Sequence, residues 1–134
     1  MNSLLREPLS DLIMIEHNAN NIRNIKDQTE DEQFLAVSNN PESIQYIRQP
    51  LIAVQELAVE IDPHCIKFFW KHATHMVRLA ALDKDPTVIK YLPDSTIEEQ
   101  KFVIMRNGSC YDLIQNRNWK TMLYQLLYWY KVVV

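Results

Sequence analysis

Residues 30–49 read EDEQFLAVSNNPESIQYIRQ, and this stretch decides the fold. Glu30, Asp31 and Glu32 put negative charge where a helix N-terminus is electropositive. Leu35, Ala36 and Val37 follow as its apolar residues, so a first short helix is expected over Glu30–Asn39. Asn40 is a preferred N-cap, because its side-chain oxygen accepts an orphan backbone N–H. Pro41 suits the first helical position, where its missing N–H has no partner to lose. A second short helix then presents Ile44 and Ile47 at i, i+3 on one face, and Pro50 stops it from running on.

The pattern recurs on both sides. In AVQELAVEIDPHCIKFFWK (53–71), Ala58-Val59, Asp62-Pro63 and Ile66 repeat Ala36-Val37, Asn40-Pro41 and Ile44 at a step of 22. Ala81-Leu82, Asp85-Pro86 and Ile89 follow at a step of 23, and Val103-Ile104, Asn107-Gly108 and Tyr111 at 22. Upstream, Met14-Ile15, Asn18 and Ile22 match at 22. Ile66 and Phe69, and Ile89 and Leu92, repeat the i, i+3 pair, with Pro93 beyond the latter. Self-similarity at a fixed period is the signature of repeat architectures. The expected units are about 8–28, 29–49, 50–71, 72–93 and 94–116, within a single domain 1–134. A helix of seven to ten residues is marginal alone, so each unit must be covered by its neighbours. The expected fold is all-α: an α-solenoid of about five short helix-turn-helix repeats, closed by an apolar capping helix over 117–134. The units are shorter than the 33–47 residues of ankyrin, tetratricopeptide or HEAT repeats.

The pattern EEQxLAVxxNPxxIxYIxxP, with its Ala-Val, Asn-Pro and Ile-x-Tyr-Ile columns, resembles the short helical repeats of uncharacterised proteins encoded by phages and giant viruses. That family is known mainly as a domain of unknown function. The resemblance covers residues 8–116 and implies a phage or viral origin and a binding role. It supplies no catalytic residue to carry over.

Composition narrows the function further. The chain has 134 residues and one glycine, Gly108, where average usage predicts about nine. A P-loop needs two glycines and a dinucleotide fingerprint three, so neither exists here. The net charge of −3 argues against general attraction to nucleic acid or anionic membrane. No stretch approaches the 18–20 apolar residues of a membrane span. The N-terminal MNSLLREPLSDL lacks the apolar run of a secretory leader. Cys65 and Cys110 are therefore expected to be free thiols in a reducing, cytoplasmic setting, inside a host cell if the viral resemblance holds.

Chemistry-bearing residues are sparse. His72 and His75 stand at i, i+3 in KHATHM, with His64 and Cys65 upstream, but no further ligands follow at finger-like spacing. They read as solvated histidines at a loop and a helix start, and no metal or cofactor is expected. Cys65 occupies the column of Ser43 and Val88, which suits a small, partly buried residue. Cys110 has no histidine near it in sequence for nucleophilic chemistry. Glu98-Glu99 repeats Asp31-Glu32 and reads as a repeat feature. An enzyme is not expected.

The better candidates are columns repeated along the array, because adjacent units offer equivalent side chains on an extended surface. Gln45, Lys67, Lys90 and Asp112 form one column. Arg23, Arg48, Trp70 and Lys71 lie near the corresponding helix ends. Arg23, Arg48, Lys67, Trp70, Lys71 and Lys90 are the expected partner-binding residues, since Arg and aromatics are enriched at hot spots. Tyr46, Phe68 and Tyr91 form an aromatic column expected to pack between repeats. The tail WKTMLYQLLYWYKVVV carries Trp119, Leu123, Leu126, Leu127, Trp129 and Tyr130, with apolar residues on more than one face. It is read as a cap first, as a homodimer contact second, or as a face for a membrane or partner. The expected function is a non-enzymatic protein–protein interaction module, a phage or viral accessory protein that binds a host protein, with inhibition of that protein as one outcome the resemblance implies. The alternative is a helical-repeat protein that binds nucleic acid through the basic strip.

Overall fold

In the computed structural model, which describes residues 8–133, the described chain is all helical and contains no strand. The expectation of no leader rests partly on residues 1–7, which lie outside the described residues, as does Val134 of the tail. Six α-helices alternate with five 3₁₀ helices. They are α1 (Pro8–His17), α2 (Glu30–Asn39), α3 (Ile52–Ile61), α4 (His75–Lys84), α5 (Ile97–Arg106) and α6 (Trp119–Val133). The 3₁₀ helices are Ala19–Asn24, Pro41–Tyr46, Pro63–Phe68, Pro86–Tyr91 and Gly108–Leu113. Each α-helix packs on the next α-helix, and each 3₁₀ helix on the next 3₁₀ helix. The result is a two-layered α-solenoid.

The second element of every unit is thus a six-residue 3₁₀ helix and not a second α-helix. The i, i+3 apolar pairs are compatible with this geometry. A 3₁₀ helix has three residues per turn, so i and i+3 lie above one another. Ile44 and Ile47, Ile66 and Phe69, and Ile89 and Leu92 are all buried. Nor do the prolines end these elements. Ile47, Phe69 and Leu92 end them, each donating its backbone N–H to the carbonyl three residues earlier. Pro50 and Pro93 come later.

The caps are present in all five units. Asn18, Asn40, Asp62, Asp85 and Asn107 each accept the backbone N–H two residues on. Gly108, in the proline column, leaves this cap intact. Thr29 with Glu32, and Thr96 with Glu99, add capping boxes at the starts of α2 and α5.

The α-helices share one burial pattern. In α2 to α5 the third, fourth, seventh and eighth residues are buried: Val54, Gln55, Ala58 and Val59 in α3, for example. The fourth residue of one helix meets the third of the next. Arg78 of α4 bonds Glu99 of α5, and Thr121 of α6 donates to Gln100 of α5. The third and seventh positions therefore look back along the array, and the fourth and eighth look forward.

Candidate functional site

The forward-looking fourth position holds Gln33, Gln55, Arg78 and Gln100, all buried. A buried amide needs partners on both its ends. Gln33 donates to Gln28 O at 3.2 Å and accepts Leu51 N–H at 3.1 Å, so it ties its own loop to the next unit. Gln100 donates to Ser95 O at 3.0 Å. Arg78 departs from the column. Its Nε and Nη2 reach Glu99 Oε1 and Oε2 at 2.8 and 2.9 Å, and Nη2 also reaches Asp94 at 3.0 Å. Burial works against the charge, but the hydrogen bonds that Arg78 donates to Glu99 and Asp94 outweigh it and hold the guanidinium above its ordinary pKa. This charged joint between units four and five was not singled out by sequence. Its signal is there: an arginine stands where the neighbouring units carry glutamine.

The histidines divide. His72 is exposed in the segment before α4, and His75 is the exposed first residue of α4. His75 Nδ1 lies 3.7 Å from Glu99 Oε1. Among the described residues no group of three or more His, Cys, Asp and Glu could hold a metal ion. His64 is a joint residue. Its Nε2 meets Asp85 Oδ2 at 2.9 Å and its Nδ1 meets the Tyr91 hydroxyl at 3.3 Å. It thus links the 3₁₀ helix of unit three to the cap of unit four. Asn20 does the same toward Asn40 two units earlier.

The Thr87 hydroxyl, then the Thr87 N–H and His64, lower the Asp85 pKa below 3.8 against the opposing effect of partial burial. A depressed carboxylate contributes stability above its unfolded pKa and loses it as pH falls through the folded value. Asp85→Asn keeps the cap acceptor and removes this titration. Unfolding followed from pH 6 to pH 2 (about 4 being the ordinary aspartate pKa) should show a shallower acid loss for Asp85→Asn than for the parent.

Both thiols are free and buried. Cys110 falls in the column of Ser43, Cys65 and Val88, and all four are shielded from solvent. Cys65 is more buried than its sequence column suggested. Burial first, then the charges of Asp62 and Glu42, push its thiol to about 12. Burial and then Asp85 raise Cys110 as well. A thiol attacks as thiolate, so neither cysteine should react with an aromatic disulfide reagent at pH 8 until the chain is unfolded, when two thiols per chain should be released.

The columns expected to bind a partner gather along the 3₁₀ edge. Arg23, Arg48, Lys67, Lys71 and Lys90 are exposed there. Tyr46, Phe68 and Tyr91 are half-buried against the core beneath them, as their packing role requires. The cations lie over these rings: Arg23 on Tyr46 at 5.8 Å, Lys67 on Phe68 at 4.9 Å and Lys90 on Tyr91 at 5.1 Å. Unit two has Gln45 in the cation column, and Arg23 of unit one covers its ring. Trp70 is half-buried against the core, with Lys71 over it at 5.5 Å. It is less exposed than its position at the inserted residue suggested. Arg48 is partly committed. Its N–H bonds Gln28 and its Nη1 donates to Lys26 O at 3.1 Å. Beside it, an open polar groove of about 550 Å³ is lined by Lys26, Gln28, Thr29, Gln33, Arg48 and Gln49 among others.

The tail forms α6. Thr121 is buried, and Tyr124 and Tyr128 pack on the core. Trp119, Leu123, Leu126, Leu127, Trp129 and Tyr130 remain 47–67% exposed. The helix covers one end of the array, yet its outer face is apolar and not the polar face of a solubilising cap. Among the described residues no helix is long and apolar enough to cross a membrane.

No protein-family model matches this chain, and neither the curated proteins nor the solved structures contain a match to it.

Proposed function

We propose that the chain is a non-enzymatic protein-interaction module whose 3₁₀ edge grips a partner protein. The observation that carries this reading is the run of cation-over-ring pairs at Tyr46, Phe68 and Tyr91, one per unit. Each pair offers an exposed charge on an apolar, rigidly backed base, and the steps of 22 and 23 residues set them in a row. Arg, Tyr and Trp in such settings dominate binding energy. The fitting partner is a protein surface with carboxylates interleaved with apolar side chains. The resemblance to phage and giant-virus repeats supplies the setting: an accessory protein, working in the host cytoplasm, that binds and inhibits a host protein.

Nucleic-acid binding is the weaker reading. Outside the α-helices, residues 18–118 carry seven basic and six acidic side chains. That balance gives no sustained field for a phosphate backbone, and the rings lie under the chain's own cations.

The immobilised chain should retain one dominant protein from a host lysate. The double variant Lys67→Glu/Lys90→Glu should weaken capture roughly tenfold or more, the scale of losing one hot-spot contact. Retention of nothing, or unchanged capture by the double variant, would overturn the reading.

A further inference from the structure

The two ends of the array are complementary. The forward-looking fourth and eighth positions, buried in α2 to α5, are Met122 and Leu126 in α6, and they are 51% and 58% exposed. The backward-looking side of α1 mirrors this. Its seventh residue, Met14, is 39% exposed, and Leu9 and Ile13 beside it are 65% and 58% exposed. Asp11 and Ile15, which look forward from α1, are buried. Met14, Met122 and Leu126 thus stand open at positions through which internal units stack, with Leu9 and Ile13 widening the apolar face beside Met14.

Charge adds a direction. Residues 8–61 hold nine acidic and three basic side chains, a net −6; residues 62–134 hold seven acidic and ten basic, a net +3. At the extremes, α1 exposes Glu16, its other carboxylate Asp11 being buried toward the array, and carries no Lys or Arg; α6 carries Lys120 and Lys131 with no Asp or Glu. A pairing of two α6 faces would set like charge against like. A pairing of α6 with α1 sets opposite charges together and repeats the unit-on-unit stacking already present between α5 and α6.

The geometry points to head-to-tail self-association, in which the outer face of α6 on one copy receives the outer face of α1 on a second copy. Such a contact is heterologous, so it leaves one open face at each end and grows beyond a dimer unless it closes into a ring. It uses neither Lys67 nor Lys90, so it stands apart from partner capture at the 3₁₀ edge.

The test is sedimentation of the full chain and of two variants at exposed positions, Ile13→Asp and Leu126→Asp, with circular dichroism to verify their helix content. The parent should form species larger than a dimer as concentration rises into the high micromolar range. Each variant alone should be a monomer, because each retains only one working face. An equimolar mixture of the two should form a one-to-one dimer and nothing larger. A parent that stays monomeric would overturn the proposal, as would a mixture that stays monomeric. Dimerisation of Ile13→Asp alone would show α6 pairing with α6, and dimerisation of Leu126→Asp alone would show α1 pairing with α1; either result also overturns it.

Discussion

Glu99→Ala should destabilise the chain by about 3–5 kcal/mol, the cost of leaving one member of a buried ion pair without its partner. Glu99 is fully buried and accepts two hydrogen bonds from Arg78. Removing it leaves the guanidinium shielded from water with only the exposed Asp94 carboxylate opposite. The same substitution deletes the capping box that Glu99 completes with the Thr96 N–H at 2.9 Å. A loss of this size is a large part of the 5–15 kcal/mol that holds a typical domain folded. Urea unfolding of the two proteins measures it directly, and a loss below about 1 kcal/mol would mean that the joint is not closed to water. A second variant isolates the charge. Arg78→Gln/Glu99→Val puts at this joint the residues that the equivalent positions, Gln33 and Val54, hold between units two and three. It should be more stable than Glu99→Ala, although it still lacks the capping box.

Gly108→Ala should cost about 1–3 kcal/mol, the usual price of overpacking, and should loosen α6. A Cβ at residue 108 would stand 2.2 and 2.3 Å from the ring carbons of Tyr128. The ring lies against the bare backbone of unit five and helps to seat α6 there. Gly108 has no positive φ to protect, so the cost comes from the collision alone. Tyr128→Ala removes the obstacle, and the double variant Gly108→Ala/Tyr128→Ala should therefore be less destabilised than the sum of the two single variants. Urea unfolding of all four proteins closes the cycle. Strict additivity would remove the contact from the account. Trp129 fluorescence, next to the displaced ring, reports whether α6 has moved.

These two sites mark what was legible in the residue order. The 22-residue period, the Asn and Asp caps and the apolar columns are local features. They depend on side chains within a few positions of each other, and their repetition in five units exposes them. The first element of each unit was therefore readable almost to its ends. The second was not, because an i, i+3 apolar pair fits one turn of either helix type. Six residues capped at both ends close as a 3₁₀ helix once neighbouring units cover them.

The candidate surface divides in the same way. Lys67 and Lys90 could be placed on one exposed column by counting, since equivalent positions in a regular stack share an environment. That Arg23 covers the ring of the following unit depends on how adjacent units are rotated. Glu98-Glu99 could be recognised as the counterpart of Asp31-Glu32. The same count could not show that Glu99 faces an arginine 21 residues earlier.

The sequence by itself thus determined the architecture, because a repeated short-range pattern leaves a stack as the only way to bury its apolar faces. Only the tertiary structure decided which side of each helix looks forward, that Arg78 and Glu99 meet inside a joint, and that Gly108 is small to admit Tyr128. Those facts arise between units, where residues some 20 positions apart come into contact and no local preference records the meeting.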